Sequence, residues 1–363
     1  MKIAFDYKIF WNQRYGGISR YFINIFNQLE TNNHLFRVFA PFFKNEYLND
    51  FSRKNIEGRF TKDNIPFTSN LLKMYNEIIC LKKIESWKPD LVHYTYYYNK
   101  LKKKRSTVIT VYDLIHEEIA NKDNKIIRPK KNMIEISDHI ICISESTKKD
   151  LQKFYNVDDK KISIIYLGVN HLIKTKYENF SKFLKEDPYL LYIGSREKYK
   201  NFDFFIKSFS KSKKLMENFN IILFGGGSIT KQEKQTLRSL KIDENNIKQV
   251  NGGDNMLINL YQNAKAFVFP SLYEGFGLPI LESIRNKCPV ICSDIPVFRE
   301  VAGDLVNFFN PENCESLINS IESVVFSDNV NENSIKNSKK ITEQYNWEKC
   351  SKKTYEVYKK IIN

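Results

Sequence analysis

Nine short apolar runs, most of them four to six residues long, recur along the chain with longer amphipathic stretches between them. They are Ile3–Asp6, Leu91–Tyr94, Thr107–Tyr112, His139–Ile143, Ile162–Tyr166, Tyr189–Gly194, Asn220–Phe224, Ala266–Pro270 and Val290–Cys292. Such alternation predicts parallel α/β layers, because parallel neighbours need a crossover long enough to hold a helix. After the first run comes Gly16-Gly17-Ile18-Ser19-Arg20, and then Ile18, Tyr21, Phe22, Ile25, Phe26 and Leu29 fall on one face of a helix. A second series starts at Tyr189. The polar segment from about 169 to 187 has no strand pattern and reads as a linker, and Trp347 to Ile362 reads as a final amphipathic helix.

The 363 residues are enough for two domains, each with its own core. No apolar run approaches the ~18 residues of a membrane span. The six cysteines have no paired metal spacing, so reduced thiols and a cytoplasmic location are expected. A formal charge of +15 comes partly from basic runs at Lys100–Arg105 and Lys122–Lys131. These suit an anionic membrane face, or are a lysine-rich bias without a partner. Nucleic acid is not expected as a partner, since the aromatic residues do not alternate with basic ones and no helix-turn-helix, zinc-finger or RNP-like segment is present.

Chemistry concentrates in Pro270-Ser271-Leu272-Tyr273-Glu274-Gly275-Phe276-Gly277-Leu278-Pro279-Ile280-Leu281-Glu282. Gly275 and Gly277 let backbone N–H groups approach a ligand, and Leu278-Pro279 predicts a helix start. The positive end of that helix is a seat for a diphosphate. Glu282, expected in the first turn, would accept hydrogen bonds from a ribose diol, and Glu274 would lie on the loop nearer what the diphosphate carries. A second cationic station is Gly194-Ser195-Arg196-Glu197-Lys198-Tyr199-Lys200-Asn201. It follows a strand, which puts Arg196 and Lys200 at the carboxyl end, where open α/β sheets bind ligands.

The Glu274–Glu282 stretch resembles the E-x7-E signature of the family 4 retaining glycosyltransferases. The resemblance covers nearly the whole chain. It implies an α/β chain of GT-B fold, with two Rossmann-like domains facing each other across a cleft: 1–170 for the acceptor, 171–344 for the nucleotide sugar. A C-terminal helix, 345–363, would cross back onto the first domain. The Arg196–Lys200 station is similar to the family's G-x-R-x-x-x-K-N variant, with Ser195 where many members have the arginine, so Lys200 is the firmer assignment. Gly16 and Gly17 match the N-terminal glycine loop that approaches the donor diphosphate. Asn251-Gly252-Gly253-Asp254 resembles the loop framing the base, with Asn251 and Gly252 in contact through backbone. Gly275, Phe276, Gly277 and Leu278 would border the diphosphate.

Thr110-Val111-Tyr112-Asp113 resembles the family's T-V-H-D segment, but Tyr112 replaces the histidine thought to touch the transferred sugar. Asp113 is the preferred catalytic candidate there, with His116 and His93 as alternatives. Glu274, Lys200, Arg196 and Asp113 thus form the expected catalytic set.

The reaction implied is retaining transfer from a UDP- or GDP-sugar to a hydroxyl of a glycan or lipid-linked glycan in cell-surface polysaccharide synthesis. Nucleophilic and front-face routes stay open. The family match implies no cofactor and no metal, and the chain lacks an Asp-x-Asp after an apolar strand. The expected location is the cytoplasm or its membrane face. Rival readings are a GT-B epimerase or phosphorylase, a non-catalytic GT-B scaffold, and a basic nucleic-acid- or membrane-binding protein.

Overall fold

Parallel strands are buried on both faces, so they need continuous apolar runs, and these runs assemble into two sheets. The computed structural model describes residues 1–62, 69–119, 124–169, 187–327 and 331–362. Lys122 and nearly all of the expected linker lie outside the described residues. The chain divides into two compact units, residues 1–168 with 346–363, and residues 169–345.

The first unit holds strands β1 (Ile3–Asp6), β2 (Phe36–Phe43), β3 (Ile56–Phe60), β4 (Leu91–Tyr94), β5 (Ser106–Val111), β6 (His139–Cys142) and β7 (Ile162–Ile164). Their order is β3-β2-β1-β4-β5-β6-β7, with every pair parallel. The helix Gly17–Thr31 buries Tyr21, Phe22, Ile25, Phe26 and Leu29, and Phe5 of β1 meets Phe26 edge-on at 4.7 Å. The helix Trp347–Ile362 packs on Gly17–Thr31 and on β5 and β6. Gly168 has no room for a side chain, because a Cβ there would lie 2.4 Å from the Trp347 nitrogen.

The second unit holds β8 (Tyr189–Ile193), β9 (Asn220–Phe224), β10 (Ile247–Val250), β11 (Ala266–Phe269), β12 (Val290–Ser293) and β13 (Asn307–Phe309). Their order is β10-β9-β8-β11-β12-β13, again all parallel. Both sheets are doubly wound, and each reverses its strand order once, between β1 and β4 and between β8 and β11. The crevice outside the carboxyl ends at such a reversal is where open α/β sheets bind ligands.

Sequence reasoning missed β2, β3, β10 and β13. The β2 strand contains Pro41 at a register shift between Ala40 and Phe42, which interrupts its strand signature. Opposite it, a Cβ on Gly58 would lie 1.5 Å from the Ala40 carbonyl oxygen. The strands β3 and β10 carry charged or polar residues because they sit at sheet edges.

Candidate active site

Two loops flank the reversal in the second sheet, one after β8 and one after β11. Lys200 comes from the first and Glu274 from the second, and their side chains meet at 2.5 Å, each 15% exposed. The Leu272 N–H donates to the Tyr199 carbonyl at 2.7 Å, so backbone joins the loops as well. The Lys200 ammonium also lies 5.3 Å from the Phe269 ring centroid, an arrangement that holds a cation without neutralising it. Beside the pair, the Ser271 hydroxyl is buried with no hydrogen-bond partner among the described residues.

The β11 loop runs into the helix Leu278–Arg285 through Gly277, whose φ of +97° is left-handed. A Cβ at Gly277 would lie 2.9 Å from the Phe298 ring, so both conformation and space require glycine. Pro279 sits in the first turn, as the sequence predicts. Glu282 does not: it is the fifth helical residue and therefore opens the second turn, where it is only 3% exposed. Tyr261 approaches it, with Oη 3.2 Å from Glu282 Oε2 and 3.1 Å from the Pro279 carbonyl oxygen. Tyr261 escaped the sequence reading as a site residue. It lies on the helix Asp254–Asn263, which begins directly after the exposed Asn251-Gly252-Gly253 loop.

Arg196 follows a different course from Lys200. Its guanidinium donates to Glu233, to Gln249 Oε1 at 3.1 Å and to the carbonyls of Ser228 and Gly227 at 2.9 and 3.2 Å. Its side chain is 5% exposed. Burial pushes the Glu233 carboxyl up, but the hydrogen bonds from Arg196 and Thr230 outweigh it and hold the group below the usual range. Arg196 and Lys200, both in the expected catalytic set, therefore take different partners in this structure. Arg196 fastens the Gly225-Gly226-Gly227 turn, three successive positive-φ glycines, to the edge of the second sheet.

In the first unit, Gly16 precedes the helix that Gly17 opens, and a Cβ on Gly16 would collide with Gln13 Oε1 at 2.3 Å. Gln13 Oε1 accepts the Ser19 N–H at 3.1 Å, capping that helix. Asp113 lies just past β5, half-buried, with Oδ1 accepting the Ile115 N–H at 3.3 Å. His116 is half-buried in the short helix Ile115–Glu118.

His93 and Tyr112 are both buried. The His93 ring nitrogens lie 2.6 Å from Tyr358 Oη and 3.0 Å from Thr110 Oγ1, and burial lowers the imidazole pKa to about 3. His93 is thus a neutral strut between sheet and terminal helix, which corrects its candidacy as a sugar contact. Missed altogether was a buried ion pair, Lys130 with Glu117 at 2.8 Å, beside Asp113.

Residues 173–341 match the family model described as Glycosyl transferases group 1, and residues 15–171 match that described as Glycosyltransferase Family 4. The chain belongs to glycosyltransferase family 4. The O-antigen chain mannosyltransferase RfbU of Salmonella typhimurium is 34% identical to it over 190 residues, covering 51% of this chain and 50% of that one. The N-acetylgalactosamine-N,N'-diacetylbacillosaminyl-diphospho-undecaprenol 4-alpha-N-acetylgalactosaminyltransferase of Campylobacter jejuni is 24% identical over 169 residues, covering 46% and 45%. The chain thus spans about half the length of these curated relatives.

Sucrose-phosphate synthase from Thermosynechococcus elongatus superposes with a TM-score of 0.78 at 16% identity, covering 99% of both chains. Anabaena HepE, solved with UDP and glucose, does so with 0.75 at 16% identity, covering 99% and 100%. At these identities the likeness establishes the fold, which is GT-B.

This member of glycosyltransferase family 4 therefore gathers Lys200, Glu274 and the Gly275–Leu278 corner at the carboxyl end of the second sheet, with Glu282 a turn further on. A fixed cation beside a glycine corner that starts a helix can stabilise a leaving diphosphate. A partly buried carboxylate on the same loop, Glu274, can accept hydrogen bonds from sugar hydroxyls.

Proposed function

We propose that the protein is a retaining glycosyltransferase that takes a sugar from a UDP- or GDP-sugar and passes it to a hydroxyl of a glycan or lipid-linked glycan. The observation that carries this reading is the Lys200–Glu274 pair at the strand-order reversal of the second sheet, beside the left-handed Gly277. The donor diphosphate would lie on Lys200 and the N–H groups from Gly275 to Leu278, the ribose on Glu282, and the base along Asn251 and Gly252. Glu274 would hold the hydroxyls of the transferred sugar. As the anomeric C–O bond breaks, its electron pair goes to the diphosphate. The acceptor oxygen bonds the anomeric carbon and its proton leaves to a phosphate oxygen.

Lys200 and the backbone dipoles supply the counter-charge in this scheme, so no metal step is required. The named relatives support a place in cell-surface polysaccharide synthesis, and the acceptor would be met at the cytoplasmic membrane face. In the first unit, Gly16 and Gly17 would approach the donor diphosphate through their backbone, and Asp113 would stand on the acceptor side.

The test is thermal stabilisation by UDP, GDP and their sugar conjugates in EDTA, for wild type and Glu282→Ala. One nucleotide series should stabilise the wild type and lose its effect in the variant. Turnover in EDTA should match turnover without it, and the product should keep the donor's anomeric configuration. No shift with any nucleotide would point instead to a scaffold, and activity restored only by magnesium or manganese would refute the metal-free site.

A further inference from the structure

The first unit has a reversal of its own, between β1 and β4, and the crevice there is a cavity of about 460 Å³. That volume lies in the range of small-ligand sites, roughly 300–1,000 Å³. Lys8 and Asn12 line it from the chain after β1, Asn99 from the chain after β4, Lys73 and Glu77 from the helix Ser69–Trp87, and Lys125 from the helix Asn124–Ile136. Three lysines against one glutamate leave the lining with excess positive charge.

The site is built, not incidental. Asp6, fully buried at the end of β1, accepts the Thr95 N–H at 2.5 Å, the Tyr98 hydroxyl at 2.6 Å and the Lys8 N–H at 3.2 Å. One carboxylate thereby fastens the β1 loop to the β4 loop, which are two walls of the crevice. The Lys8 side chain is only 10% exposed, with its ammonium 3.5 Å from the Tyr98 ring centroid and 3.5 Å from Glu77 Oε2. Burial lowers the Lys8 pKa, Glu77 and Asp6 offset part of that, and neighbouring Lys73 lowers it again. A buried cation partly opposed by another lysine is stabilised by an incoming anion.

The helix that carries Lys73 and Glu77 also presents Leu71, Met74, Tyr75 and Ile78 to solvent, each 46–62% exposed. Their i, i+3, i+4, i+7 spacing puts them on one stripe, adjoining the face of Lys73 and Glu77. A cationic cavity beside an exposed apolar stripe matches an amphiphile with an anionic head.

We infer that the crevice of Lys8, Lys73 and Lys125 binds the phosphate or diphosphate of a lipid-linked acceptor, whose hydrocarbon chain runs along the Leu71–Ile78 stripe. This rests on the reading of the protein as a transferase acting on lipid-linked glycan. It assigns the acceptor's linkage group to a site separate from Lys200 and Glu274.

The test is equilibrium binding of inorganic pyrophosphate and of sub-micellar farnesyl diphosphate to the full chain in EDTA, with saturating UDP or GDP. Both probes should bind, farnesyl diphosphate about tenfold more tightly or better. Lys73→Gln with Lys125→Gln, both on the surface, should weaken both probes by about tenfold or more. Leu71→Ser with Met74→Ser should erase only the preference for the farnesyl chain.

Unchanged binding in the lysine variant, or probes displaced by the nucleotide, would overturn the site. Equal affinity for both probes would overturn its assignment to a lipid. Nucleotide stabilisation measured on the same samples tests the donor reading by itself, so either idea can fail while the other stands.

Discussion

Two lysine–glutamate pairs of nearly equal length do different things in this molecule. Lys130 and Glu117 meet at 2.8 Å with side chains 1% and 5% exposed, and each has a further partner. Lys130 also donates to the Asp113 carbonyl at 2.9 Å, and Glu117 accepts the Tyr155 hydroxyl at 2.6 Å. Lys200 and Glu274 meet at 2.5 Å but stay partly wet, at the ends of two loops beside a glycine corner. A buried pair whose members each hold a further partner is scaffold, because neither member can leave without stranding the other's charge. A partly solvated pair at a strand-order reversal can exchange its partner for a ligand. Distance alone does not separate the two cases; burial and the remaining hydrogen bonds do.

The largest effect that could break this contrast is on stability. Lys130→Met should destabilise the first unit by about 3–5 kcal/mol, and adding Glu117→Gln should recover much of that loss. All three tryptophans, Trp11, Trp87 and Trp347, lie in that unit, so their fluorescence during urea unfolding reports it directly. A neutral single variant would mean that Glu117 is solvated and the contrast is lost. Lys200→Ala and Glu274→Gln should instead lower kcat by about 10²–10³, the usual loss on removing one electrostatic stabiliser of a leaving group. Their stability should move by no more than about 1 kcal/mol. Normal turnover in either variant would remove the pair from the chemistry.

Arg196 sharpens the same comparison from within the second unit. Its partners are a helix-capping glutamate and the glycine turn, so Arg196→Ala should cost about 1–3 kcal/mol by stranding buried acceptors. Its effect on kcat should be smaller than that of Lys200→Ala. A large kcat loss with unchanged stability would restore it to the catalytic set.

Much of this was legible in the chain. The interior strands other than β2, which Pro41 interrupts, announced themselves because both their faces are buried, and the Glu274–Glu282 corner did so because glycine and proline constrain backbone locally. The edge strands β3 and β10 did not, since half-exposed strands carry residues such as Glu57, Arg59 and Lys248. Side-chain destinations were less legible still. Arg196 and Lys200 are four residues apart and read alike, yet the turn after Gly194 sends one to Glu233 and the other to Glu274. Tyr261 becomes a site residue, and Glu117 a buried strut, only through partners that no spacing reveals.

The smallest effect concerns pH and also separates the two units. His93 has a folded-state pKa of about 3, lowered by burial, and that of His139 falls to about 4 for the same cause, helped by Lys360. Both lie in the first unit. The unfolded chain takes up protons near the ordinary histidine value of about 6.5, whereas the native imidazoles stay neutral. Their contribution is therefore fully present above about pH 6.5 and is lost as pH falls toward the native values, by about 1.4 kcal/mol per unit for each fully titrating histidine. His93→Gln keeps a donor and an acceptor for Tyr358 and Thr110 but cannot titrate. In urea titrations followed by tryptophan between pH 6 and 5, it should reduce the histidine-linked slope, leaving the part due to His139 and His34. An unchanged slope would mean that His93 is protonated inside the fold. Its contact with Tyr358 would then be a charged one.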